Sequence, residues 1–162
     1  MLPDYLIQNE HIRVKLCRHG LFIFNINDTF IGRGLDIYGE WCETEIELLT
    51  QVLRAGNTIV DVGANIGTHT VAFAKIVGPN GTVHAFEPQR RLFQMLCGNV
   101  ALNALENVHC YQRCVGSVSS EILVPPLPPS NTKHNFGAVP ISGSNRGEKV
   151  QVITIDNLKL TS

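Results

Sequence analysis

The residues best placed to do chemistry are Asp61-Val62-Gly63-Ala64-Asn65-Ile66-Gly67 and Glu87, the last about 20 residues past Gly67. Gly63, with no Cβ, lets the chain turn sharply and come close to a ligand. Gly67 lets the start of the following helix lie against the preceding strand. Free N–H groups at that helix start offer donors and the positive end of a dipole to an anionic group. A carboxylate at the end of the next strand, where Glu87 falls, can accept from both hydroxyls of a ribose. Turn and spaced acid together point to a nucleotide or nucleoside, and two further residues narrow the choice. A dinucleotide lays its pyrophosphate against the glycine turn, where Asp61 repels it, and Asn65 replaces the middle glycine of G-x-G-x-x-G. S-adenosylmethionine has no phosphate. Asp61 favours its sulfonium and ammonium groups, and its carboxylate can use the helix N-terminus. The electrostatics therefore prefer S-adenosylmethionine to NAD.

To bring these residues together the chain must run β-α-β-α-β. Thr58 to Val62 is a short β-branched run suited to a strand buried on both faces. Thr68 to Val77 is helical in character and stops at Gly78-Pro79-Asn80-Gly81. Thr82 to Phe86 is a second strand that closes on Glu87-Pro88. Arg90 to Asn103 is a helix with Leu92, Leu96 and Val100 on one stripe, and Val108 to Tyr111 is a third strand. This order predicts an α/β fold with a parallel sheet and right-handed crossovers. Upstream, Ile12 to Cys17 and Leu21 to Ile26 read as a β-hairpin around Arg18-His19-Gly20. Asn27-Asp28-Thr29 and Gly32-Arg33-Gly34 read as turns. Glu43 to Arg54 reads as a helix with Ile46, Leu49, Val52 and Leu53 on one face, Arg54 at its end and Gly56 as its stop. After Gly116, Pro125, Pro126, Pro128, Pro129 and Pro140 mark a long irregular segment, read as a surface loop, before a last strand at Val150 to Ile155. The expected organisation is a hairpin and helix over 1–56 packed on a ligand-binding core over 57–162.

Composition sets the outer limits. The 162 residues are 44% hydrophobic and 17% charged, which suits one domain with a real core and excludes a disordered chain. Thirteen Lys and Arg against 14 Asp and Glu leave a net charge of −1, which argues against a dedicated nucleic-acid binder. No apolar run approaches the roughly 18 residues of a bilayer span, so no membrane partner is expected. Met1 to Gly20 holds no secretory signal. Five cysteines, Cys17, Cys42, Cys97, Cys110 and Cys114, include no C-x-x-C pair. No metal is expected, and a reduced, cytoplasmic setting is.

The run Asp61 to Thr70, with Ala85-Phe86-Glu87-Pro88 and the Asn99 to Asn103 segment, resembles the FkbM type of S-adenosylmethionine-dependent methyltransferase. Tyr38-Gly39-Glu40-Trp41 and the Glu43 to Arg54 segment fit the same family. The resemblance implies a Rossmann-like class I methyltransferase sheet and methylation of a hydroxyl oxygen on a small molecule or sugar. It implies S-adenosylmethionine as cofactor, with Asp61, Gly63, Asn65 and Gly67 lining the methionine part and Glu87 the ribose. It also implies further strands past residue 162, so only the first half of the sheet is expected, incomplete at the C-terminus. Thr58 to Val62 would then be an unpaired edge, an aggregation hazard. In the resembled fold a general base comes largely from loops after the fourth and later strands, so no catalytic residue is assigned. Two other functions compete: a non-catalytic or truncated nucleoside-binding module, and an NAD-dependent oxidoreductase domain, which Asp61 and Asn65 disfavour. Asp61 as a plain turn cap and Glu87 as a helix starter are the blander readings of those acids. His69 could touch the ligand or act as a base, but such a residue is more often packed or solvated, and His84 reads as core. Tyr38, Glu40 and Trp41 are candidates to cover the pocket, with packing an equal role for Trp41.

Overall fold

A computed structural model describes residues 5–141 and 143–158, so the outermost ends of both expected regions, 1–4 and 159–162, lie outside the description. Three parallel strands, β4 (Thr58–Val62), β5 (Thr82–Phe86) and β6 (Val108–Tyr111), pair in the order β4-β5-β6. The register runs from Thr58 opposite Thr82 to Val62 opposite Phe86, then from Val83 opposite Val108 to Phe86 opposite Tyr111. Helices α3 (Thr68–Val77) and α4 (Arg90–Leu102) make the crossovers. The strand buried on both faces is β5, not β4: Val83 and Ala85 are fully enclosed, whereas Val62 is 53% exposed. Among the described residues β4 pairs with β5 alone, so its β-branched run packs on one side only.

Ahead of this sheet, β1 (Ile7–Gln8), β2 (Ile12–Cys17) and β3 (Gly20–Asn25) form an antiparallel meander with Arg18 and His19 as the hairpin turn. Phe22 and Phe24 bury against Leu35, Ile66, Val71 and Leu92. The outer edge of β3 is closed by two side chains of α4 instead of a strand. Asn99 Oδ1 accepts from Ile23 N–H at 2.6 Å, and its Nδ2 donates to the carbonyls of Ile23 (3.1 Å) and Ile66 (2.7 Å). Asn103 Oδ1 accepts from Leu21 N–H at 3.0 Å, and its Nδ2 donates to the Leu21 carbonyl at 2.7 Å. Four helical residues rise about 6 Å and two strand residues about 6.6 Å, so residues four apart on α4 meet residues two apart on β3.

Two expected local structures differ. Gly32-Arg33-Gly34 lies inside a helix, α1 (Ile31–Tyr38), instead of a turn. The glycines serve close packing there: a Cβ on Gly32 would stand 2.1 Å from the Asn25 carbonyl oxygen, and one on Gly34 2.8 Å from the Trp41 ring. The helix expected over Glu43 to Arg54 is α2 (Glu43–Thr50) and stops short. Only Ile46 of it is buried, while Leu49 and Val52 face solvent, so little tertiary packing supports further turns. Arg54 still reaches carbonyls, those of Gln51 and Leu53.

Beyond β6, β7 (Cys114–Val115), β8 (Ser120–Val124) and β9 (Glu148–Ile153) form a second small sheet in the order β7-β9-β8. Strand β8 lies in the stretch read as irregular, and β9 begins two residues before the expected Val150. Residues 125–141 do more than skirt the surface. They cross the C-terminal end of the parallel sheet and bury Phe136.

Candidate functional site

The glycine-containing turn leaves β4 and folds back onto β5. The N–H groups of Gly63 and Ala64 both donate to the Phe86 carbonyl, each at 2.9 Å. Gly63 has φ +80°, and nothing lies within 4 Å of where a Cβ would stand, so its backbone is open to a ligand. Asn65 is left-handed at φ +53°, a conformation asparagine tolerates, and its Oδ1 accepts from Ile66 N–H at 2.8 Å. Parallel pairing sets two carboxylates at neighbouring strand ends. Asp61 is half-buried and accepts from Thr70 Oγ1 at 2.5 Å. Burial pushes its carboxyl above the usual range, and the Thr70 bond and His69 pull back. Glu87 is 5% exposed. One of its oxygens accepts from Asn65 N–H at 2.9 Å, the other from Gln89 N–H at 2.8 Å. Burial raises its pKa, the two N–H groups lower it, and the Asp61 charge raises it further. Each oxygen keeps a second lone pair for a ligand hydroxyl.

Each acid faces its own cavity. Glu87, Gln89, Leu92 and Arg113 line one of about 390 Å³. Asp61, Thr68, His69 and Trp41 line another of about 280 Å³. Gly63, Asn65, Gly137 and Ala138 border both, so the cavities are neighbours separated by the glycine turn and a roof segment, residues 136–140, that lines the first and touches the second at Gly137 and Ala138. The roof is tied down on two sides. On one side His134 exchanges backbone bonds with Asn27 and Thr29, each at 3.0 Å, next to the buried Asp28 carboxylate, which accepts from the N–H groups of Phe30 (3.2 Å) and Gly32 (3.0 Å) and whose pKa is raised by burial. Arg91 donates to the Pro128 carbonyl at 2.6 Å and to Ser130 Oγ at 2.8 Å, and its guanidinium lies 4.8 Å from the centre of the Phe136 ring. A Cβ on Gly137 would stand 2.6 Å from Asn65 Nδ2, so roof and turn are in close approach.

Residues 61–162 match the family described as the methyltransferase FkbM domain. The chain belongs to the FkbM methyltransferase family. No curated protein matches it. Among solved structures the FkbM chain is similar to a transferase of Pyrococcus horikoshii, PH0793, at 18% identity and TM-score 0.52 over 67% of this chain and 38% of that one. Trm5b of Pyrococcus abyssi is similar at 15% identity and TM-score 0.50, over 68% and 34%. TYW2 of P. horikoshii, solved with MeSAdo, gives 16% and 0.50, over 67% and 38%. At such identities the likeness shows the fold, a class I methyltransferase sheet, and the FkbM chain spans less than half the length of these structures.

Of the residues singled out in the FkbM sequence, Asp61, Gly63, Asn65 and Glu87 border the two cavities. Gly67 borders neither. Its Cβ position lies 2.7 Å from Leu96 Cδ1, so the absence of a side chain makes room for α4. Trp41 lines the Asp61 cavity, edge-on to Phe30 at 6.4 Å. Tyr38 is 76% exposed and Glu40 pairs with Arg18 at 3.0 Å, so neither covers that cavity. His69 does border it, stacked on Phe73 at 5.6 Å with Nε2 3.4 Å from Glu45. His84 is buried, bonded to the Tyr111 hydroxyl at 3.1 Å, and burial lowers its pKa. Sequence reasoning missed Gln89, Arg113, Asp28, Arg91 and the roof. Only Asp28 stood in a recognised turn, and nothing local shows that this turn pairs with His134. Among the described residues no group of three or more His, Cys, Asp and Glu is placed to hold a metal, and no helix is long and apolar enough to cross a membrane.

Proposed function

We propose that this FkbM chain binds S-adenosylmethionine across the two adjoining cavities, and that the reaction it serves moves the methyl group to a hydroxyl oxygen of a small molecule or sugar. The observation that carries the reading is the placement of two carboxylates, buried Glu87 and half-buried Asp61, at neighbouring strand ends, one per cavity, on either side of an open glycine turn. Glu87 accepts from the ribose hydroxyls through its free lone pairs. Asp61 lies on the side of the sulfonium and ammonium groups, and the N-terminus of α3 at Thr68 takes the ligand carboxylate. Gly63 and Asn65 lie between the cavities, and Gly67 acts through packing.

Methyl transfer from a sulfonium is an in-line displacement with an activated leaving group. The protein's task is to align acceptor oxygen, methyl and sulfur and to exclude water, which the roof does here. The near-neutral charge supports a small acceptor over a nucleic acid. Residues 1–56 serve as a support for the 57–162 core, and five free cysteines support a reducing, cytoplasmic setting.

Isothermal titration of the protein with S-adenosylmethionine, S-adenosylhomocysteine and NAD tests the reading. The first two bind and NAD does not. Glu87→Ala removes a charged acceptor worth about 1.5–3 kcal/mol, a roughly ten- to over a hundred-fold loss of affinity. Asp61→Ala weakens S-adenosylmethionine at least as much. Equal affinities for the wild type and both variants would place the nucleoside elsewhere.

A further inference from the structure

Gln89 is the N-cap residue of α4, a position where Ser, Thr, Asp or Asn normally satisfies a free N–H, yet its side chain makes no capping bond. It is 6% exposed, and its amide nitrogen Nε2 has no hydrogen-bond partner. An enclosed, unpartnered amide destabilises a fold and calls for a reason. Its position supplies one. Its backbone N–H is held by Glu87 at 2.8 Å, and its side chain borders the same cavity as Glu87, Leu92 and Arg113. It also borders a surface groove with Arg90, Arg91 and Arg146, where three guanidinium groups already supply donors.

We propose that Gln89 is a ligand-reading residue of the Glu87 cavity, hydrogen-bonding through its amide to the nucleoside whose ribose Glu87 accepts. This rests on the nucleoside reading of that cavity. The two side chains are complementary: the carboxylate only accepts, whereas the amide also donates. The terminal amide torsion is soft, so the group can turn toward a bound ligand without moving the helix. Position 89 thus serves the ligand at the expense of the empty fold.

The test is titration of the full chain with S-adenosylhomocysteine, alongside the melting temperature of each ligand-free protein, for the wild type, Gln89→Leu and Gln94→Leu. Gln94 is an exposed glutamine of the same helix. Gln89→Leu is expected to weaken binding about tenfold while the ligand-free melting temperature stays level or rises, because an unsatisfied donor has been removed. Gln94→Leu binds as the wild type does. Wild-type binding with unchanged Gln89→Leu affinity overturns this inference alone, as does an affinity loss matched by a lower melting temperature, the mark of a structural role. Failure of the wild type to bind overturns the nucleoside reading and this inference with it.

Discussion

Replacing Asn99 with alanine is the sharpest test of how the glycine turn is held. The side chain is fully buried and makes three hydrogen bonds, two to Ile23 of β3 and one to the Ile66 carbonyl within the turn. Asn99→Ala leaves one backbone N–H and two carbonyls without those partners, where a buried unsatisfied group costs about 1–3 kcal/mol. Partial relaxation brings the total to about 3–4 kcal/mol. For a chain of this size each kcal/mol lowers the melting temperature by about 2–4 °C, so a drop of roughly 10 °C is expected. Asn103→Ala removes bonds to Leu21 nearer the surface, where water substitutes, and costs about 1 kcal/mol. Calorimetry on both variants decides the point. If Asn99→Ala melts within about 2 °C of the wild type, or matches Asn103→Ala, the two amides are not what joins hairpin and turn.

Asp28, Asp61 and Glu87 all have carboxyls raised by burial. The folded state holds such protons more tightly than the unfolded chain, so stability falls as pH rises from the ordinary carboxylate range through the raised values. Glu87→Gln therefore gains melting temperature relative to the wild type as pH rises across that window, and a pH-independent difference would contradict the cause given. Burial also raises the Cys17 thiol to about 11 and the Cys110 thiol to about 12. Both should alkylate far more slowly near pH 8 than a cysteine in a free peptide, as mass spectrometry of native protein treated with iodoacetamide would show.

Where local pattern and tertiary environment agree, the sequence was a sufficient guide. The bounds of β4, β5, β6 and α3 follow from short β-branched runs and an apolar stretch that ends at Gly78. Where they disagree it was not. Gly32 and Gly34 have the composition of a turn, but they are needed because Asn25 and Trp41 press against a helix. Val52 has the spacing of a helix face with nothing to pack on, so α2 stops early. Asp61 and Glu87 were legible because strand ends and spacing place them. The Asn65 and Gln89 N–H groups on Glu87 were not, since they depend on how the turn closes. The roof was least legible of all: Asn25 and Asn27 hold the Ser130 carbonyl across more than 100 residues, a distance over which no periodicity speaks.

The roof has a kinetic consequence. Gly137 and Ala138 border both cavities and Gly137 stands against Asn65 of the glycine turn, so a molecule that reaches from one cavity into the other must displace or skirt that contact. Such displacement works against the fastenings of that segment, the His134 bonds to Asn27 and Thr29 and the Arg91 bonds to Pro128 and Ser130. On the proposed nucleoside reading, loosening Arg91 is expected to change the rate of exchange, while loosening Glu87 is expected to change the affinity.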